Sequence, residues 1–154
     1  MGRSLEIGSQ APDFEAETYG AEKVRLSDFY SKGTVVLYFY PKDSTTGCIM
    51  EACSLRDAEG ELASLGVKVL GVSTDGVKSH EKFRDRFSLN FPLLSDKKRK
   101  IVDLYGARWK LIPIVARRTT FLIEKGGRIA YIWDKVKPSS HAEEVLGKVK
   151  ELGL

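Results

Sequence analysis

The run Thr34–Tyr40, TVVLYFY, limits the fold more than any other stretch of the chain. Its apolar residues do not alternate with polar ones, so a strand here needs cover on both faces. It ends at Pro41, which has no N–H to continue a ladder, and a short polar loop leads to Gly47, Cys48 and a segment with helical spacing. A doubly covered strand feeding a helix is the first half of a crossover, which calls for a parallel neighbour. Val67–Ser73, VKVLGVS, has the same continuous apolar character and supplies it. The arrangement also delivers a cysteine to a helix start. There the first N–H groups lack partners and the macrodipole is positive, so an anionic sulfur is favoured.

The rest of the pattern extends this unit. Cys48–Leu65 places Leu55, Ala58, Leu62 and Leu65 at helical spacing, with Gly66 as the stop. Val77–Phe87 predicts a second helix, with Phe83 and Phe87 on one face. Phe91–Leu94 leads into Ser95-Asp96, a cap for a helix through Lys97–Tyr105. Arg117–Ile123 predicts a third strand, turned at Lys125-Gly126-Gly127 into an antiparallel return, Arg128–Trp133. Ser139 or Ser140 caps a last helix with Ala142, Val145, Leu146 and Val149 on one side. Upstream, Ile7–Asp13 is a loop turning at Ala11-Pro12-Asp13. Phe14–Thr18 and Glu22–Leu26 form a small hairpin around Tyr19-Gly20, and Ser27-Asp28 begins a short helical turn. Parallel pairing in the first half and antiparallel pairing in the second are met together by a mixed central sheet with helices on both faces. With no repeat, linker or low-complexity tract, residues 1–154 are expected to form one domain.

Composition removes several classes of function. Hydrophobic content of 42% with 30% charged residues argues against disorder. No apolar stretch is long enough to span a bilayer, and the first residues have neither a signal-like apolar core nor a Ser or Thr at the myristoylation position, so the expected location is cytoplasmic and away from membranes. A net charge of +4 with interspersed signs gives little reason to expect nucleic acid. Two cysteines in a reducing compartment are poor candidates for a structural staple. They are also too few for a zinc site, with neither histidine near them in sequence, so no metal or cofactor is expected.

Pro41, Thr45 and Cys48 stand in the spacing Pro-x-x-x-Thr-x-x-Cys, which resembles the active-site signature of peroxiredoxins. The longer string YPKD…GC…EAC is similar to the peroxiredoxin Q subfamily, also called bacterioferritin comigratory protein. APDF, LSDFYSKGTVVLYFYPKD, FPLLSD and RRTTFLI extend the likeness over nearly the whole chain. Two positions depart from it: Thr46 replaces a common proline and Ile49 a frequent threonine. Neither is a reacting group in the family pattern, so a change in loop rigidity is expected rather than lost chemistry. The resemblance implies an α/β thioredoxin-like fold, a mixed central β-sheet flanked by helices with an N-terminal β-hairpin. The activity it implies is that of a thiol peroxidase acting on hydrogen peroxide and organic hydroperoxides, recycled by thioredoxin or another dithiol, as a monomer or weak homodimer.

By the same resemblance Cys48 is the peroxidatic cysteine, whose thiolate attacks a peroxide oxygen and becomes a sulfenic acid. The plain alternative is an inert buried cysteine. Thr45 would aim its hydroxyl at the peroxide, or serve as an N-cap, a role open to Thr46 as well. Pro41 would close the loop over the sulfur, while N–H groups near Gly47 and Cys48 hold developing charge. Arg118 is the guanidinium expected beside the sulfur, with Arg117 sent to the opposite face by strand alternation. Cys53 is the implied resolving cysteine, or else a small core residue. In an intact helix, residues five apart lie roughly 8–9 Å apart at Cα, whereas a disulfide needs less than about 7 Å. The implied bridge therefore requires the first helical turns to unravel.

Other residues receive plainer expectations. Glu51 is read first as favouring a helix N-terminus and second as a hydrogen-bond partner in the cysteine loop. His80 and His141 are placed on helix surfaces or at helix starts, Lys97–Lys100 (KKRK) on a solvated face, and Trp109 and Trp133 in core or interface. Two other functions compete with the peroxidase. A disulfide reductase or redox chaperone usually shows Cys-x-x-Cys, but four residues separate the cysteines here. Nucleic-acid binding through KKRK lacks interleaved aromatics.

Overall fold

The structure is a computed structural model that describes residues 5–154. The reading of the extreme N-terminus falls partly on Met1–Ser4, outside the described residues. Thr34–Phe39 (β3) is buried at every position and pairs on both sides, parallel to Val67–Ser73 (β4) and antiparallel to Thr119–Ile123 (β6). Its lack of alternation has the expected cause. Val35, Leu37 and Phe39 enter one core with Leu70, Val72, Phe121 and Ile123, while Val36, Tyr38 and Tyr40 enter a second core on the other face.

The full sheet has seven strands in the order β2-β1-β5-β4-β3-β6-β7, where β1 is Glu15–Glu17, β2 Lys23–Arg25, β5 Leu93–Ser95 and β7 Ile129–Trp133. The N-terminal hairpin is present as expected and also joins the main sheet, through Glu17 opposite Ser95. Thr46–Ser64 (α2), Val77–Phe87 (α3) and His141–Leu152 (α5) contribute to the second core, whereas Leu26–Tyr30 (α1) and Lys100–Leu104 (α4) contribute to the first. Helices on both faces of one mixed sheet give the α/β thioredoxin-like arrangement expected.

Several boundaries differ for physical reasons. The helix expected over Lys97–Tyr105 is cut to a turn and the short α4, and the lead-in before it holds strand β5. Asp96 still satisfies free helix donors, its carboxylate accepting the Val102 N–H at 2.8 Å. Helix α2 starts at Thr46, two residues ahead of Cys48, and the chain leaves it at Gly66 with φ +77, a conformation that favours glycine. Near the N-terminus the turn lies at Ile7-Gly8 rather than at Ala11-Pro12-Asp13, closed by Ser9 N–H to the Glu6 carbonyl at 3.0 Å.

Candidate active site

Strand register assembles the site. Phe39 sits opposite Thr119 in the antiparallel β3–β6 pair, so the residue that precedes β6, Arg118, lies beside the exit of β3 where the cysteine loop begins. Helix α2 opens with the Ile49 N–H bonded to the Thr45 carbonyl at 2.8 Å. The N–H groups of Thr46, Gly47 and Cys48 therefore precede the first helical bond, and Cys48 sits at the positive end of a 19-residue helix.

The Cys48 sulfur is buried (1% exposed) and accepts a hydrogen bond from Arg118 Nη2 at 3.2 Å. The other terminal nitrogen, Nη1, donates to Glu51 Oε1 at 3.0 Å. One guanidinium thus serves two acid groups on the same helix. Gly47 makes room for it, since a Cβ there would stand 2.5 Å from Arg118 Nη2. Pro41, Thr45, Gly47 and Arg118 line a cleft of about 550 Å³ together with Trp109, Arg117, Asp134 and Val136. The expected constellation of Pro41, Thr45, Cys48 and Arg118 is brought together, with Arg118 joining the buried sulfur to the cleft lining.

Thr45 occupies the N-cap position of α2 but makes no capping side-chain bond. Its hydroxyl donates instead to the Lys42 carbonyl at 2.9 Å. The hydroxyl proton is therefore engaged, and the oxygen facing the cleft is an acceptor. Cys53 is free and half-buried, and lies away from this cleft, in a groove between α2 and α5 that Met50, Ala58, Ala142 and Leu146 also line. Helix α2 is continuous through both cysteines.

Some expectations are overturned. Arg117 does not face away. It lines the same cleft and is held by Asp134 at 3.1 Å and the Gly106 carbonyl at 3.2 Å. Both arginines precede β6, so strand alternation does not govern them. Glu51 is fully buried, which neither reading foresaw, and its hydrogen-bond partner is Arg118 rather than a group of the cysteine loop. Burial pushes its carboxyl up to about 7 against the opposing charge and hydrogen bond of Arg118. Its Oε2 and the Tyr38 hydroxyl are both buried without a partner among the described residues. Burial, followed by the charges of Glu51 and Cys48, raises the Tyr38 phenol well above its ordinary range. His141 opens α5 and His80 lies in the first turn of α3, at helix starts as one of the two expected placements had it, but both are fully buried rather than on a helix surface. Trp109 is a cleft wall, whereas Trp133 is core as expected.

Asp43, Asp75 and His80 bring ligand-type atoms within 4.8 Å of one another. These atoms are committed to internal hydrogen bonds: Asp43 receives Tyr40, Ser79 and His80, and Asp75 receives Ser73 and the Asp43 N–H. Lys97, Lys98 and Lys100 of the KKRK run line a separate cleft of about 440 Å³ where Glu15, Glu17 and Asp96 stand among the lysines, a surface of mixed charge.

Residues 7–132 match the AhpC/TSA family. The chain belongs to that family. Its relatives place it among the peroxiredoxins of Bcp, or peroxiredoxin Q, type. It is 43% identical to the putative peroxiredoxin bcp of Coxiella burnetii, over 95% of this chain and 99% of that protein. It is 41% identical to peroxiredoxin Bcp of Bacillus subtilis, over 97% and 98%. The crystal structure of a cysteine-to-serine mutant of Xylella fastidiosa PrxQ superimposes with a TM-score of 0.90 at 33% identity, covering 99% of this chain and all of that one. Mycobacterium tuberculosis BcpB gives 0.89 at 31% identity, over 96% and 98%. This peroxiredoxin is a thiol-dependent peroxidase, and the alternative of a disulfide reductase without peroxidase activity is not favoured. Among the described residues no helix is long and apolar enough to cross a membrane.

Proposed function

We propose that Cys48 is the sulfur that attacks the peroxide and Cys53 the sulfur that resolves it, within one catalytic domain whose seven strands share a sheet. The observation that carries this reading is the Arg118 Nη2 to Cys48 Sγ hydrogen bond of 3.2 Å at the wall of an open cleft. A fixed guanidinium and three free helix N–H groups favour an anionic sulfur and hold the charge that develops as the O–O bond breaks. The thiolate attacks one peroxide oxygen, the O–O bond cleaves, and the departing oxygen takes a proton to leave as water or an alcohol. Cys48 remains as a sulfenic acid. The Thr45 oxygen accepts the peroxide O–H and turns the O–O axis toward the sulfur, while Pro41 and Trp109 wall the approach.

The Cys53 thiol then displaces water from the sulfenic acid to form the Cys48–Cys53 disulfide. Helix α2 must unwind locally for this, because five residues of intact helix separate the two. A thioredoxin-type dithiol reduces the bridge by thiol–disulfide exchange, leaving two thiols and its own disulfide. The apolar walls of the cleft, Trp109 and Val136, support organic hydroperoxides as substrates beside hydrogen peroxide. Dependence on two free thiols supports a reducing, cytoplasmic setting, and the enzyme is read as a monomer or weak homodimer that engages neither nucleic acid nor membrane.

The test is peroxide decay in the presence of a thioredoxin system, run beside insulin-type disulfide reduction. Wild type is expected to consume peroxide and Cys48→Ser to consume none. Disulfide reduction without peroxide consumption would overturn the assignment.

A further inference from the structure

We propose that Asp43 and His80 are positioning residues for the peroxide step: a buried clamp that holds the cysteine loop in its helical, peroxide-ready shape and opposes the unwinding that brings Cys53 to Cys48. The inference rests on the reading of Cys48 as the attacking sulfur and adds residues outside the cleft. From Pro41 to Gly47 the only buried residue is Asp43. Everything this loop offers the peroxide, from Pro41 to Thr45 and Gly47, is placed relative to that one inward-facing side chain.

The socket for Asp43 is built by other elements. Its Oδ1 accepts the Tyr40 hydroxyl at 2.6 Å, and its Oδ2 accepts the Ser79 hydroxyl at 2.8 Å and faces His80 Nδ1 at 2.7 Å. Its N–H donates to Asp75 Oδ2 at 2.8 Å. His80 is fixed from behind, with Nε2 facing the Leu94 carbonyl at 3.0 Å. Each ring nitrogen thus faces an oxygen of a different element, which fixes the ring in place. Asp75 is held in turn by the Ser73 hydroxyl at 2.7 Å. Tyr40 apart, the receiving groups lie on β4, α3 and the connection between them, a framework separate from α2 and from the cleft lining.

The loop needs such a peg. Ser44, next to Asp43, has φ +63, a left-handed conformation that costs a non-glycine residue energy and persists only where its neighbours enforce it. On one side of Ser44 the chain is pinned by Asp43, and on the other α2 begins. Loosening the peg lets the loop and the first turn of α2 relax together. The fully wound form that reacts with peroxide becomes less populated, and the unwound form that makes the disulfide becomes more populated. The two half-reactions should therefore respond in opposite directions, which a generally weakened fold would not produce.

The experiment uses reduced wild type, His80→Gln and Ser79→Ala, the last removing one donor at a partly exposed position. Each is mixed rapidly with hydrogen peroxide, with sulfur oxidation followed by tryptophan fluorescence. Disulfide formation is followed by acid quench, thiol alkylation and mass spectrometry. For His80→Gln, oxidation of Cys48 is expected to slow about tenfold and resolution to quicken by a similar factor, with Ser79→Ala shifting both in the same directions by about threefold. A lowered melting temperature with both rates at wild-type values overturns the proposal, as do two rates that fall together. Absence of any Cys48 oxidation in wild type overturns the functional reading, and this inference with it.

Discussion

Cys48 and Cys53 stand on one helix and live in different chemical worlds. Cys48 is sealed in the second core with Ala52 and Leu55, its sulfur against a guanidinium. Cys53 faces a groove shared with α5, bordered by Asp57, Glu61 and Glu143, all of them acidic. Five residues at 3.6 per turn rotate the side chain by about 140°, which is why one helix can place them so differently. Charge stabilisation needs a sulfur held fixed against its donors, whereas resolution needs one that can travel. The residues of α2 below Cys53 are suited to that division. Leu55 and Leu62 are fully buried and anchor the remaining helix while the first turns open.

Exchanging the two thiols for hydroxyls breaks the comparison most sharply. Cys53→Ser is expected to retain a single burst of peroxide consumption equal to the enzyme present, then lose recycling through thioredoxin, while Cys48→Ser shows no burst. Stopped-flow peroxide decay with and without reductant measures both. A Cys53→Ser enzyme that turns over with thioredoxin as wild type does would remove the resolving role.

The next largest effect belongs to the cation. Arg118→Met removes the side-chain donor that the Cys48 sulfur has among the described residues, and the peroxide rate constant should fall by about 10²–10³-fold, the usual cost of losing one preorganised donor. Arg118→Lys should recover only part of it, since an ammonium cannot hold Cys48 and Glu51 in one fixed fork. Exchange of Cys53 with an external thiol should change little in either variant, which separates the two sulfurs again.

Gly47→Ala tests the same contact from the backbone side. The added Cβ would meet the far end of a flexible side chain, so the guanidinium moves rather than the helix. Peroxide reactivity should drop by about tenfold, while the melting temperature holds or rises, alanine being up to about 1 kcal/mol better than glycine in a helix. Equal losses of stability and rate would show that Gly47 serves the fold and not the position of Arg118.

The two thiols also mark how far the sequence could be read. Val67–Ser73 and Val77–Phe87 appear at their expected bounds because continuous apolar character and 3.6-residue spacing are local properties. Pro41, Thr45 and Cys48 were legible together as one spaced motif, whereas Arg118, 70 residues from Cys48, was legible only through the family resemblance. Strand β5 was hidden, since three residues carry no periodicity and FPLLSD reads as a loop until Gly71–Ser73 pairs with it. The buried state of Glu51, His80 and His141 was hidden for a related reason. A polar residue goes inside only when distant partners receive it, and Arg118, Asp43 and Thr120 lie 67, 37 and 21 residues away. Arg117 and Trp109 entered the cleft through a connecting segment where no strand or helix period applies.

Glu51 carries the smallest expected effect on peroxide chemistry and the most informative one on the shared cation. Burial lifts its carboxyl from an ordinary 4.5 to about 7, so the folded protein holds this proton more tightly than the unfolded chain does. Its contribution to stability is full below about 4.5 and is lost as pH rises through about 7, a change of roughly 3 kcal/mol. Glu51→Gln keeps an acceptor for Arg118 Nη1 without the titration. Urea unfolding at pH 5 and pH 8 should show wild type losing more stability across that interval than the variant, and peroxide rates should agree within about fivefold. Parallel pH dependence in the two proteins would mean that Glu51 is ionised throughout. Arg118 would then be shared between two anions, and the sulfur would hold less of its charge than the geometry at Cys48 implies.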